Sequence, residues 1–264
     1  MKIGFIGGGN MAEALIKGMT AQGMKDIIVS EPKQDRRKYL HDTYGADTTE
    51  NNKDLVESSE IIILAVKPQN MDSVVKEISP AVTEDKTIVS IAAGIKLDYL
   101  TAKLNTKKII RVMPNTPALV QEGMSVMSLC ECFSDNAISV VREILMSIGK
   151  VITLPEKYMD AVTAVSGSGP AFIAFFVETM IDSAIKLGLS EDDARTLAVQ
   201  TAIGTAKLLD TGMSPSKLRE MVTSPGGTTA SGLEVFHDKG LSDTVLAAIT
   251  SARDRSVELG QKSE

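Results

Sequence analysis

The first fifteen residues, MKIGFIGGGNMAEAL (1–15), decide the fold. Ile3, Phe5 and Ile6 form a short apolar run that reads as a buried strand, and residues 10–19 have helix-forming composition. Between them Gly7, Gly9 and Ala12 meet the pattern G-x-G-x-x-G/A, with a strand before it and a helix after it as the pattern requires. Gly7 lets the chain turn sharply off the strand, Gly9 lets backbone approach a pyrophosphate, and Ala12 lets the helix pack closely on the strand. The unpaired N–H groups and positive dipole end of that helix then face the phosphates. A plain glycine turn is the competing reading, and the strand context favours the dinucleotide site.

Working outward, 264 residues suffice for one large or two modest domains, and 43% hydrophobic content supplies a core. A net charge of −6 with no basic block argues against a nucleic-acid surface, and 4% aromatic residues with no Trp argue against single-strand stacking. Cys130 and Cys132 stand one residue apart, a spacing that suits neither a disulfide, a CxxC redox pair nor a zinc site, so free thiols and no metal are expected. No signal peptide is read, and no stretch reaches the roughly 18 apolar residues of a membrane span, so a cytoplasmic protein without membrane contact is expected.

Strand and helix alternate over the first half. Residues 26–29 form a second strand, ending at Ser30, Glu31 and Pro32, where such folds read the adenosine ribose. Glu31 suits a free 2′-hydroxyl, whereas Ser30, Lys33, Arg36 and Arg37 suit a 2′-phosphate; the balance favours NADPH, with NADH as the alternative. Gly45 closes the next helix, residues 46–48 are a short strand, and Asn51 and Asn52 open another helix. The run IIILAV (61–66) is a central parallel strand that stops at Lys67 and Pro68, and Lys67 lines the cofactor more readily than it serves as a catalytic lysine. Residues 87–91 end in the small residues Ala92, Ala93 and Gly94, which leave room for a flat ring. Residues 109–112 lead into MPNTP (113–117), where Asn115 either orients a ligand or stabilises the turn. Residues 126–129 and 151–154 are further strands, with a helix over about 135–147 between them. The pattern is that of a doubly wound α/β domain over residues 1–157.

Residues 158–264 read as helices. The segment FIAFFVETMIDSAIKLG (172–188) has a narrow polar stripe of Glu178, Asp182 and Lys186 and is otherwise apolar. A domain of this size has trouble burying such a helix alone, so a homodimer through it is expected, with a helix buried by its own bundle as the alternative. Ser190 caps a helix over 191–209, a short helix spans 215–222, and SPGGTT (224–229) precedes a helix over 230–236 and a last one over 243–259. The backbone N–H groups and two hydroxyls of Gly226, Gly227, Thr228 and Thr229 can cradle a carboxylate.

FIGGGNM (5–11), AVKPQ (65–69), SIAAG (90–94), RVMPNTP (111–117), AVSGSGPAF (164–172) and SPGGTT (224–229), in this order, resemble the pyrroline-5-carboxylate reductase family over essentially the whole chain. The resemblance implies a Rossmann-like domain followed by an all-α dimerisation domain, and dimers that in some members assemble into decamers. It implies that Gly7, Gly8, Gly9, Asn10, Met11 and Ala12 hold the pyrophosphate and that Ser30, with Lys33 and Arg36, meets the 2′-phosphate. Asn52 is implied at the adenosine half, and Val66, Lys67, Pro68, Ala92, Ala93 and Gly94 on the nicotinamide side. Ser224, Gly226, Gly227 and Thr228 are implied to hold the substrate carboxylate, and Thr229 to face the ring nitrogen of a cyclic imine as the catalytic group. Hydride transfer to such an imine needs placement more than acid–base machinery. His41 and His237, the only histidines, stand in no motif. Two rivals are weighed. A β-hydroxyacid dehydrogenase would need a lysine well placed on the long helix, which carries only Lys186 near its end, and a cofactor sensor would have lost the hydroxyls of SPGGTT.

Overall fold

The computed structural model describes residues 1–130 and 136–261. Cys132 and the expected helix start at Asp135 lie outside the described residues. The chain divides into two compact units, Met1–Ser168 with Ser251–Glu264, and Gly169–Thr250.

The first unit opens with β1 (Ile3–Ile6), α1 (Asn10–Ala21), β2 (Ile27–Ser30), α2 (Gln34–Tyr44), β3 (Asp47–Thr49), α3 (Asn52–Ser58) and β4 (Ile61–Leu64). It continues with α4 (Met71–Ile78), β5 (Thr87–Ser90), α5 (Leu97–Lys103), β6 (Ile109–Met113), β7 (Gly123–Leu129), α6 (Asn136–Met146), β8 (Gly149–Thr153) and α7 (Met159–Val162). The eight strands form one sheet in the order β3-β2-β1-β4-β5-β6-β7-β8. Strands β1 to β6 pair in parallel, whereas β7 runs antiparallel to β6 and parallel to β8. That reversal departs from simple alternation, because a 3₁₀ turn at Thr116–Val120 joins β6 to β7 where a crossover helix would otherwise stand.

Both sheet faces are covered, which is why the strand sequences are uniformly apolar. Ile61 and Ile63 point into one core with Phe5, Leu15, Ile16 and Met19, while Ile62 and Leu64 point into the other with Leu55, Val75 and Ile78. Strand order reverses at β1 and β4, which places the carboxyl ends of β1, β2, β4, β5 and β6 along one edge, where open α/β sheets bind ligands.

The second unit holds α8 (Gly169–Lys186), α9 (Glu191–Asp210), α10 (Pro215–Met221), α11 (Thr228–Asp238) and the first half of α12 (Leu241–Gln261). Ser190 and Ser214 cap α9 and α10 with their hydroxyls, as serines at helix starts do. Only Ala194 and Ala198 are buried among its described apolar side chains. None of α8 is buried, and Ile173 and Phe175 are 65% and 69% exposed. Contrary to the sequence expectation, one helical run of 31 residues, Glu156–Lys186, is long and apolar enough by length and composition to cross a membrane. The sequence reading broke that run at the glycines of SGSGP, whereas the backbone carries helical turns through it.

Candidate active site

The turn after β1 is built by its glycines. Gly7 has φ +99°, and a Cβ there would stand 2.7 Å from the Ala65 carbonyl, so no other residue fits without strain. Its N–H donates to the Ser30 carbonyl at 2.8 Å, tying the turn to the end of β2. At Gly9 nothing lies within 4 Å of where a Cβ would stand, so that side of the loop is open. No side chain caps α1. Asn10 is exposed, Met11 half-buried and Ala12 fully buried against the sheet, which leaves the first N–H groups of the helix for an anion.

At the end of β2, Ser30 is 3% exposed and its hydroxyl donates to Asn52 Oδ1 at 2.7 Å, while Asn52 Nδ2 donates to Glu77 at 2.9 Å. The structure thus brings together two residues that stand 22 apart in sequence. Glu31 turns its carboxylate inward, accepting from the Gly8 N–H at 2.9 Å and the Lys33 N–H at 3.1 Å. Arg36 points at the glycine loop and Arg37 at the carbonyls of Glu31 and Pro32. The side chain of Lys33 is exposed.

Arg36 also pairs with Glu13. Burial works against the Glu13 charge, but hydrogen bonds from Arg36, Tyr39 and Tyr44, helped by the Arg36 charge, hold its carboxyl below the usual glutamate range. Burial and the bond to Glu13 push the Tyr44 hydroxyl up.

Further along the same edge, Val66 is half-buried, and Lys67 and Pro68 are exposed at the start of a 3₁₀ turn. Ala92 and Gly94 are buried and Ala93 half-buried, and Gly94 takes φ +76° against the end of α12. Asn115 accepts from the Met124 N–H at 2.8 Å and donates to Ser166 Oγ at 3.2 Å. Both its polar ends serve the fold, which favours the turn-stabilising alternative. Ser166 belongs to a π-helical turn, Thr163–Gly167, that the sequence reading missed. No sequence signal announces it, though such turns are frequent at functional sites.

In the second unit, Gly226 has φ +69° and the Gly227 N–H donates to the Ser224 carbonyl at 3.0 Å, folding SPGGTT into a tight turn. α11 starts at Thr228, two residues earlier than the sequence suggests, and no side chain caps it. Ser224 and Thr228 are exposed and Thr229 is half-buried. Gly226 and Gly227 line an open cavity of about 840 Å³ with Arg219, Glu234, Phe236 and His237. Sequence reasoning set His237 aside for want of a motif and did not single out Arg219, Glu234 or Phe236, each a lone side chain on a helix. Among the described residues no group of three or more His, Cys, Asp or Glu side chains is placed to hold a metal ion.

Two family models match the chain. One, for pyrroline-5-carboxylate reductase dimerisation, covers residues 156–259, and one for coenzyme F420-dependent NADP oxidoreductases covers residues 2–94. The pyrroline-5-carboxylate reductase of Methanosarcina acetivorans is 40% identical, with 99% of this chain and 98% of that protein aligned. That of Synechocystis is 38% identical over 99% of both. The solved Plasmodium falciparum pyrroline carboxylate reductase, with NADP bound, superposes with a TM-score of 0.88 at 30% identity, covering 98% of each chain. The dimerisation model spans α8, whose apolar side chains are uncovered in the single chain, and supports homo-oligomerisation. With glycine loop, switch-point edge and SPGGTT turn in place and likeness over its full length, the chain belongs to the pyrroline-5-carboxylate reductase family.

Proposed function

We propose that this chain reduces the cyclic imine 1-pyrroline-5-carboxylate to L-proline with NADPH, the last step of proline biosynthesis. The observation that carries the reading is the 40% identity across 99% of the chain to a reductase named for that substrate.

The turn after β1 suits a dinucleotide, because Gly9 is open on one side and α1 starts without a side-chain cap. Gly7, Gly8, Gly9, Asn10, Met11 and Ala12 hold the pyrophosphate, and Ser30, Asn52 and Lys33 stand at the ribose with its 2′-phosphate. Val66, Lys67, Pro68, Ala92, Ala93 and Gly94 line the nicotinamide side, and Asn115 fixes the loop beside them. The nicotinamide, when bound, supplies the hydride. In the helical part, the backbone N–H groups of Ser224, Gly226, Gly227 and Thr228 take the substrate carboxylate, and the Thr229 hydroxyl orients the protonated imine nitrogen. The chain's task is to hold two planar groups in register and keep one proton in place, which is orientation rather than side-chain acid catalysis.

Nucleotide binding is assigned to residues 1–157, and substrate binding and dimer contacts to 158–264. The homodimer through α8, decamers built from such dimers, and a cytoplasmic location away from membranes complete the proposal. Reduction with NADPH carrying deuterium at both C4 positions tests the reaction: the reading requires L-proline carrying one deuterium on the former imine carbon. Unlabelled product, or none, contradicts it.

A further inference from the structure

Gly8 is gripped from both sides. Its N–H donates to Glu31 Oε2 at 2.9 Å, and its carbonyl accepts from Arg36 Nε at 2.6 Å. Arg36 Nη2 reaches the Gly9 carbonyl at 3.5 Å and pairs with Glu13 Oε2 at 2.5 Å. The other Glu13 oxygen accepts from Tyr39 at 2.8 Å and from Tyr44 at 2.9 Å. The guanidinium also lies 5.1 Å from the centre of the Tyr39 ring. Arg36 and Glu13 are mostly buried, with side chains 25% and 20% exposed, so this network is better shielded from water than a surface ion pair.

A trans peptide is planar, with its C=O and N–H pointing opposite ways. Fixing the Gly8 oxygen on Arg36 therefore aims the Gly9 N–H away from Arg36, while the Gly9 oxygen, and with it the Asn10 N–H, is set chiefly by the first helical bond from the Glu13 N–H at 2.9 Å. We propose that Arg36 is a positioning residue for the dinucleotide's pyrophosphate, clamping the glycine loop through its carbonyls while Glu13, Tyr39 and Tyr44 hold it there, rather than a ligand of the 2′-phosphate. This rests on the reading that the β1–α1 loop binds a dinucleotide. The pyrophosphate is common to NADPH and NADH, whereas the 2′-phosphate belongs to NADPH alone, and this makes the two roles separable.

The test measures KM, kcat and the dissociation constant by nicotinamide fluorescence, for NADPH and NADH, in the wild type, Arg36→Gln, Arg36→Lys and Glu13→Gln. In Arg36→Gln both cofactors should weaken by the same factor, about tenfold for loss of a charged hydrogen bond, with kcat at saturation nearly unchanged. Arg36→Lys keeps the charge but not the planar fork and should not rescue. Glu13→Gln should weaken both cofactors in parallel, and it decides the matter if Arg36→Gln does not fold. Weakening of NADPH alone, rescue of NADPH by Lys, or unchanged constants in every variant would overturn the clamp. A wild type that binds both dinucleotides but reduces no imine would sink the reductase reading and leave the clamp testable by fluorescence.

Discussion

The hydroxyl of Ser30, at the end of β2, donates to Oδ1 of Asn52, the first residue of α3, at 2.7 Å. Asn52 is held in turn by Glu77, which fixes the pair, and a bound 2′-phosphate would take the Ser30 proton's hydrogen bond in place of Asn52 Oδ1. If this pair stands at the ribose phosphate, Ser30→Ala should raise the KM for NADPH about tenfold and leave that for NADH within about twofold. Steady-state kinetics with each cofactor decides it, and an equal change for both would remove Ser30 from the phosphate.

Gly260, near the end of α12, lies against Gly94. A Cβ at Gly94 would come within 3.3 Å of the Gly260 nitrogen, and φ there is +76°. Gly94→Ala should therefore cost about 1–2 kcal/mol and lower the melting temperature by several degrees. Thermal unfolding checks this, and an unchanged midpoint would show that the two segments separate freely.

Glu13 makes acid stability sensitive to one carboxylate. Its pKa in the folded chain lies below the ordinary 4.5, so its contribution is present above that value and is lost as pH falls through the lowered folded value. The melting temperature of the wild type should exceed that of Glu13→Gln at neutral pH, and the gap should close as the pH drops below 4.5. A gap independent of pH would mean that charge on Glu13 adds nothing.

The exposed apolar face of α8 predicts the oligomer. Ile173 and Phe175 are 65% and 69% exposed in the single chain, and a buried charge without a partner is costly. Phe175→Asp should convert the assembly to smaller species by light scattering, without abolishing dinucleotide binding by the glycine loop. An unchanged mass would place the interface elsewhere.

Much of this architecture is legible in the sequence for definite reasons. Runs such as Ile61–Leu64 are apolar at every position because both sheet faces are covered, and Gly7 and Gly9 stand where the turn and the open side need them. Gly45 closes α2 in the left-handed region, as a glycine after a helix does. Other features leave no such mark. Pro114 and Pro117 announce a rigid loop but not that β7 returns antiparallel, since the same prolines suit either connection. SGSGP reads as a break, yet the π turn and α8 carry the helix through it. An arginine beside a ribose pocket has one composition whether it meets a phosphate or a carbonyl, and the direction taken by Arg36 depends on Glu13 and two tyrosines from other turns.

The most direct test of the central claim is oxidation of reduced nicotinamide by the purified chain with 1-pyrroline-5-carboxylate, with NADPH and NADH run in parallel. The account predicts substrate-dependent turnover, faster with NADPH, and L-proline in equal amount to the cofactor oxidised. Binding of NADPH without oxidation when the imine is added would contradict it.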